Sequence, residues 1–137
     1  TATSSQTSPP ATVPAALVEL LRQQPQLVFS VLVGSRATGH SHPGSDWDIA
    51  LQWAPDVEWM FILGQTETLR VQLAQALHVS PQTIDLIDLR RANLAMRAAV
   101  AEEGVPLTGT DGLAWMHFLQ RTWHELEEHY WEQQHAA

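Results

Sequence analysis

GSRATGHSHPGSDWDIAL, residues 34–51, decides how the chain is read. From Asp46 onward polar or small residues (Asp46, Asp48, Ala50, Gln52) alternate with Trp47, Ile49, Leu51 and Trp53. A period of two marks a strand with one greasy face, so a sheet covered on one side is expected, and Pro55 ends the strand. Upstream, the apolar run LVFSVLV, Leu27 to Val33, lies between Pro25 and Gly34 and reads as a buried strand. It exits through Gly34-Ser35. A strand that leaves through Gly-Ser into a helical turn presents backbone N–H groups without intrahelical partners, and those donors with a serine hydroxyl suit a phosphate. Gly34 lets the phosphate come close.

Asp46 and Asp48 are two residues apart on a strand, so both carboxylates point to one face. Two such charges repel unless a cation lies between them. Hard oxygen donors favour Mg²⁺ or Mn²⁺, held by a few carboxylates and by substrate phosphates. A third carboxylate is expected from TIDLIDL, Thr83 to Leu89, a further strand. Asp85 and Asp88 point to opposite faces of it. Asp85 is chosen for the site, and Asp88 is expected to cap or pair with Arg90 or Arg91. Arg36 and His40 stand near the phosphate turn. For Arg36 a phosphate contact and a pairing with an acid are both open, and His40 and His42 read as exposed loop residues.

The rest of the chain fills in around these strands. Residues 1–14, rich in Ser, Thr and Pro, read as a flexible tail, with one domain over 15–137. Helices are expected at Ala15–Gln24, Thr66–His78, Arg91–Glu103 (with Gly104 as a left-handed cap) and Leu113–Gln133. The role of residues 56–63 is not legible. The order α-β-β-α-β-α-α gives an α+β fold, a small mixed sheet backed by helices. On the last helix Trp115, Leu119, Thr122, Leu126 and Tyr130 share a face expected to pack on the domain. Trp123 and Trp131 fall partly off it, as partner contacts or as a wide core stripe. Glu125, Glu127, Glu128 and Glu132 read as a solvated face.

Composition sets limits. Of 137 residues 45% are apolar and 16% charged, enough for a core and too few charges for a disordered chain. Acids outnumber bases 15 to 7 for a net charge of −8, and every base is arginine. A P-loop, which needs a lysine on the phosphates, is excluded. Direct nucleic-acid binding through a basic surface is not expected, nor is a lipid-binding basic patch. There is no cysteine, hence no thiolate metal site or disulfide. No apolar run nears the roughly 20 residues that span a bilayer, and a cytoplasmic protein is expected.

Gly34-Ser35, ten residues and then Asp46-x-Asp48 is similar to the signature of the DNA polymerase β-like nucleotidyltransferases. Arg36, Gly39, Ser45 and the apolar residues after Asp48 extend the likeness, and Asp85 falls where that family carries its third carboxylate. The short length resembles the minimal nucleotidyltransferases. The resemblance implies a polymerase-β-like fold and two Mg²⁺ ions held by Asp46, Asp48 and Asp85. It implies ATP as substrate, with Gly34, Ser35, Arg36 and Ser45 around the nucleotide. A hydroxyl would attack the α-phosphorus and pyrophosphate would leave. Many minimal nucleotidyltransferases resemble antitoxins that move AMP onto a tyrosine of a HEPN ribonuclease toxin, and this is the leading expectation. A nucleotidyltransferase for a small hydroxylated acceptor such as an aminoglycoside, and an antitoxin acting by binding alone, are the alternatives.

Overall fold

The computed structural model describes residues 13–136. Two adjacent strands form its centre: β1 (Leu27–Val33) and β2 (Trp47–Trp53), antiparallel, with Val33 opposite Asp48 and Leu27 opposite Trp53. β3 (Ile84–Asp88) lies parallel to β2, and β4 (Val105–Thr108) pairs antiparallel with the other side of β1. The sheet is therefore mixed, in the order β3-β2-β1-β4. With its helices this is the expected α+β architecture.

The helices are α1 (Ala15–Arg22), the single turn α2 (Ser35–Thr38), α3 (Trp59–Leu77), α4 (Leu94–Glu103) and α5 (Leu113–His135). α1 and α3 cover one face, where Leu17, Leu21, Leu32, Ile49, Leu51, Trp53, Leu69 and Leu73 form the larger core. α4 and α5 cover the other, around Phe29, Val31, Ala50, Val100 and Phe118. Phe29 meets Trp115 and Phe118 edge-on, at 5.0 and 5.6 Å between ring centroids. The sheet expected to be covered on one side is thus covered on both. Its polar face is polar only where Asp48 and Gln52 stand half-exposed, and Ala50 between them is fully buried.

β2 begins at Trp47 and not at Asp46, which lies in the preceding loop; four further differences from the sequence reading each have a physical reason. α3 begins at Trp59 rather than Thr66, because WMFIL is apolar on every side and carries no stripe to read. β4 escaped notice because it is four residues long and contains Pro106, which an edge strand tolerates. α4 starts after Asn93, whose side chain accepts the Met96 N–H at 2.9 Å, and Leu89–Arg91 is a separate 3-10 turn. Gly104 is extended (φ −68°, ψ 147°) and not a left-handed cap; a Cβ there would collide with Val31 and with the carbonyl of Val100. Close packing of α4 on β1 is what demands glycine.

The tail expected over 1–14 lies outside the described residues up to Thr12, while Val13 is buried in the larger core and Pro14 precedes α1. On α5, Phe118 and Thr122 are buried and Trp115 and Leu119 pack beside them. Tyr130, expected on that packed face, is 62% exposed, because the helix runs past the end of the domain. Glu125 is not simply solvated. Its carboxylate receives two hydrogen bonds from Arg97, at 2.9 and 3.0 Å, tying α5 to α4.

That tie is pH-sensitive. Hydrogen bonding from Arg97 holds the Glu125 carboxyl below its ordinary value of 4.5. A depressed carboxylate stabilises the fold fully above its unfolded value and ceases to do so as pH falls through its folded value. Glu125 is 36% exposed, so screening limits the pair to about 1 kcal/mol or less. Glu125→Gln is expected to lower the melting temperature at pH 7 by up to about 3 °C. Melts taken down a pH series will show the two proteins converging in acid.

Candidate active site

Gly34 leaves β1 with φ 77° and ψ −160°, a conformation open essentially to glycine alone. The chain then closes into α2, with the Ala37 and Thr38 N–H groups donating to the Gly34 carbonyl at 3.0 and 3.2 Å. Gly39, at φ 82°, ends the turn, and His40 N–H returns to the Ser35 carbonyl. A Cβ on Gly34 would overlap Oδ2 of Asp48 and lie 3.1 Å from its Cγ. The Gly-Ser turn and the Asp48 carboxylate are therefore packed directly together. Ser35 is half-buried at the head of α2, and its hydroxyl makes no hydrogen bond among the described residues.

β2 and β3 run parallel with Asp48 opposite Asp85. Residues opposite each other in register share a sheet face, so Asp85 joins Asp48, and Asp46 stands two residues before it. Asp48 feels both neighbours. The Asp48 carboxyl is pushed above its ordinary value, first by burial, then by the charge of Asp85, then by that of Asp46. Asp46 and Asp85 are exposed and Asp48 is half-buried, so the cluster opens to solvent at the sheet end. Among the described residues no three such side chains stand close enough, as placed, to hold a metal ion. Their repulsion is nonetheless what a divalent cation would relieve, and the donor set is hard oxygen throughout, which suits Mg²⁺. Asp88 pairs in register with Leu51, on the other face. It caps the following turn through the Arg90 N–H at 3.0 Å, with Arg90 Nε 3.9 Å away, as expected.

Among the described residues Arg36 pairs with no acid. Its Nε and Nη2 donate to the Ser45 carbonyl at 3.2 and 2.9 Å, and Nη2 reaches the Pro43 carbonyl at 3.3 Å. Its guanidinium lies 4.0 Å over the Trp47 ring. Arg36 thus grips the residues immediately before and after Asp46. Ser45 likewise serves its loop: its hydroxyl accepts the His42 N–H at 2.8 Å. His40 and His42 are exposed, bonded to Thr38 and to the Gly44 N–H. Sequence reasoning missed two supports. Trp47 forms the floor under Arg36, for which an aromatic beside Asp46 was the available signal. Arg70 on α3 donates to the Ile84 carbonyl, just before Asp85, and nothing in the sequence pointed to it.

A cavity of about 790 Å³ is at the opposite end of β1, between α1 and β4, and none of the three carboxylates lines it. No helix among the described residues is long and apolar enough to cross a membrane.

Residues 15–112 match the model of the protein family described as polymerase beta, nucleotidyltransferase. Over 107 residues the chain is 29% identical to protein adenylyltransferase MntA of Aphanizomenon flos-aquae (strain 2012/KM1/D3), covering 76% of this chain and 71% of that protein. It is similar to a chain in a crystal structure of a toxin–antitoxin with AMP-PNP, at TM-score 0.67 and 30% identity over 87% of this chain and 90% of that one. It also resembles a chain of the tri-AMPylated Shewanella oneidensis HEPN toxin in complex with MNT antitoxin. There the TM-score is 0.61 and the identity 28%, over 86% of this chain and 87% of that chain.

Proposed function

The chain belongs to the polymerase beta nucleotidyltransferase family, and on that footing we propose that it is an antitoxin that transfers AMP from ATP to a tyrosine of a HEPN ribonuclease partner. One observation carries the proposal: Asp48 packs against the Gly34 turn and pairs in register with Asp85, with Asp46 two residues before it, at an open sheet end. An exposed cluster of this kind admits a tyrosine on a protein surface, whereas a small acceptor is better served by an enclosing pocket.

In the reaction the tyrosine oxygen bonds to the α-phosphorus, the bond from that phosphorus to the β-phosphate oxygen breaks, and pyrophosphate leaves. Two Mg²⁺ ions, held by Asp46, Asp48 and Asp85, would sharpen the nucleophile and neutralise the leaving group. The chain supplies the rest. Backbone N–H groups of the Gly34-Ser35 turn and the free Ser35 hydroxyl hold the β- and γ-phosphates. The carboxylate of Asp85, on the exposed side, receives the tyrosine proton. Arg36 and Ser45 act through the loop, keeping Asp46 in place. The added phosphates would block RNA from the toxin by bulk and negative charge.

Intact-mass spectrometry tests the proposal. The chain is mixed with Mg²⁺, each nucleoside triphosphate in turn, and the product of the neighbouring gene, expected to be a HEPN protein. A gain of one or a few AMP units on the partner, from ATP, is expected. A stable complex without any mass gain would leave a binding antitoxin, and neither complex nor gain would point to a small hydroxylated acceptor.

Arg36→Lys separates positioning from phosphate binding. Lysine keeps the charge but cannot match the planar fork or its stacking on Trp47. The expected result is a kcat lower by roughly tenfold with the KM for ATP little changed. A KM rise at constant kcat would instead make Arg36 a nucleotide contact.

A further inference from the structure

α5 outlasts the domain it packs on. Phe118 and Thr122 are buried, Glu125 is tied to Arg97, and Leu126 is half-buried. From Glu127 to His135 every residue is exposed, although the helix continues unbroken. These nine residues, about 13 Å of helix, are not covered by any of the described residues. An isolated helix this short is marginal in water, and its composition is not that of a solvated spike. Tyr130 is 62% exposed, Trp131 61% and Trp123 40%. Residues 123, 127, 130 and 131 follow the i, i+4, i+7, i+8 spacing of one helix face. Trp131 stacks on the ring of His135, 4.0 Å away on the same helix.

Charge selects the occupant. Beyond Arg121 the sequence has no lysine or arginine, while Glu127 lies within the aromatic stripe, Glu128 beside it and Glu132 farther round the helix. The only ion pair these three glutamates make among the described residues is Glu128 with His124, at 3.7 Å. Two copies of this helix packed together would set glutamate against glutamate, which disfavours a second copy. An RNA-cleaving protein must carry a basic surface to draw in phosphates. Large aromatics ringed by charge of one sign make good anchors on a surface of the other sign.

We propose that the free end of α5, from Trp123 to His135, is the helix on which the HEPN ribonuclease docks, with Trp123, Tyr130 and Trp131 as anchors and the glutamates facing its basic surface. The inference rests on the antitoxin reading above and adds to it where the partner is held. Trp123, Tyr130 and Trp131 are not members of the carboxylate cluster, so holding the toxin and modifying it are expected to be separable by substitution.

Binding of the full chain to the HEPN protein, by titration calorimetry, tests this. Tyr130→Ala/Trp131→Ala and Glu127→Lys/Glu132→Lys are compared with wild type. All four side chains are exposed, so melting temperatures are expected to be unchanged. The aromatic double variant is expected to bind at least about 30-fold more weakly, with transfer kcat kept at saturating toxin and KM for the toxin raised. The charge variant is expected to bind more weakly at low salt, by about tenfold, and to converge with wild type at high salt. Wild-type binding with both variants within about twofold of it would overturn the docking site and leave the antitoxin reading standing. Absence of wild-type binding at any salt would overturn both. A wild-type dimer that the aromatic variant splits, with toxin binding unchanged, would assign the helix to a second copy and likewise overturn the proposal.

Discussion

Asp48→Asn is expected to abolish transfer and at the same time make the metal-free protein more stable. The two effects have one cause. Asp48 is where burial and the charges of Asp85 and Asp46 combine to raise a carboxyl above its ordinary value of 3.8. A carboxyl whose folded value exceeds its unfolded one costs stability once it ionises. The cost is absent below the unfolded value, grows as pH rises toward the folded value, and is complete once pH exceeds it. Asparagine removes the charge and the cost with it. At pH 7 the variant should melt a few degrees higher, on the order of 2–4 °C for each kcal/mol relieved, and the gain should vanish near pH 4. Divalent cations should then raise the melting temperature of wild type and not of the variant. Lost metal chemistry is worth several kcal/mol in the transition state, so transfer should fall by at least about 10³-fold. A variant that melts lower than wild type at neutral pH would show that Asp48 is a structural ligand and not a strained one.

The sequence carried the centre of this site because strand periodicity is short-range. Asp48 takes its face from strand alternation, whereas Asp46 lies just before β2, and the odd separation of Asp85 from Asp88 sent only one of them to the face of Asp48. The pairing of β2 with β3 places Asp85 opposite Asp48, a register that spacing within one strand cannot specify. What lay beyond reach was tertiary. The second face of the sheet is buried because α4 and α5 cross Ala50 and Phe29, and no pattern inside β2 announces that. The start of α3 was hidden by an apolar run with no polar side. Arg36 looked like a charge for phosphate or for an acid, whereas its partners are backbone carbonyls of the loop that leads into Asp46. Carbonyl acceptors exist at every residue, so sequence offers no way to choose among them.

Gly34→Ala is expected to do the reverse of Asp48→Asn for stability while sharing its effect on transfer. Gly34 sits in a backbone region that costs other residues about 1–3 kcal/mol. The added methyl would also overlap Oδ2 of Asp48 and crowd its Cγ at 3.1 Å. Together these should lower the melting temperature by roughly 5–10 °C. The carboxylate must move to make room, and a displacement of about 1 Å at a reacting site can cost on the order of 10²-fold in rate. The two contributions separate in a double-mutant cycle. In an Asp48→Ala background the overlapping Oδ2 and Cγ atoms are gone and only the Cβ, at 3.3 Å, stays near. Gly34→Ala should then cost only its backbone strain, less than in wild type by about 1 kcal/mol or more. Equal costs in both backgrounds would mean that backbone strain alone requires glycine there. A smaller cost in the Asp48→Ala background would mean that the close approach of the turn to the carboxylate is itself built into the fold, in the place where phosphates and cation must meet.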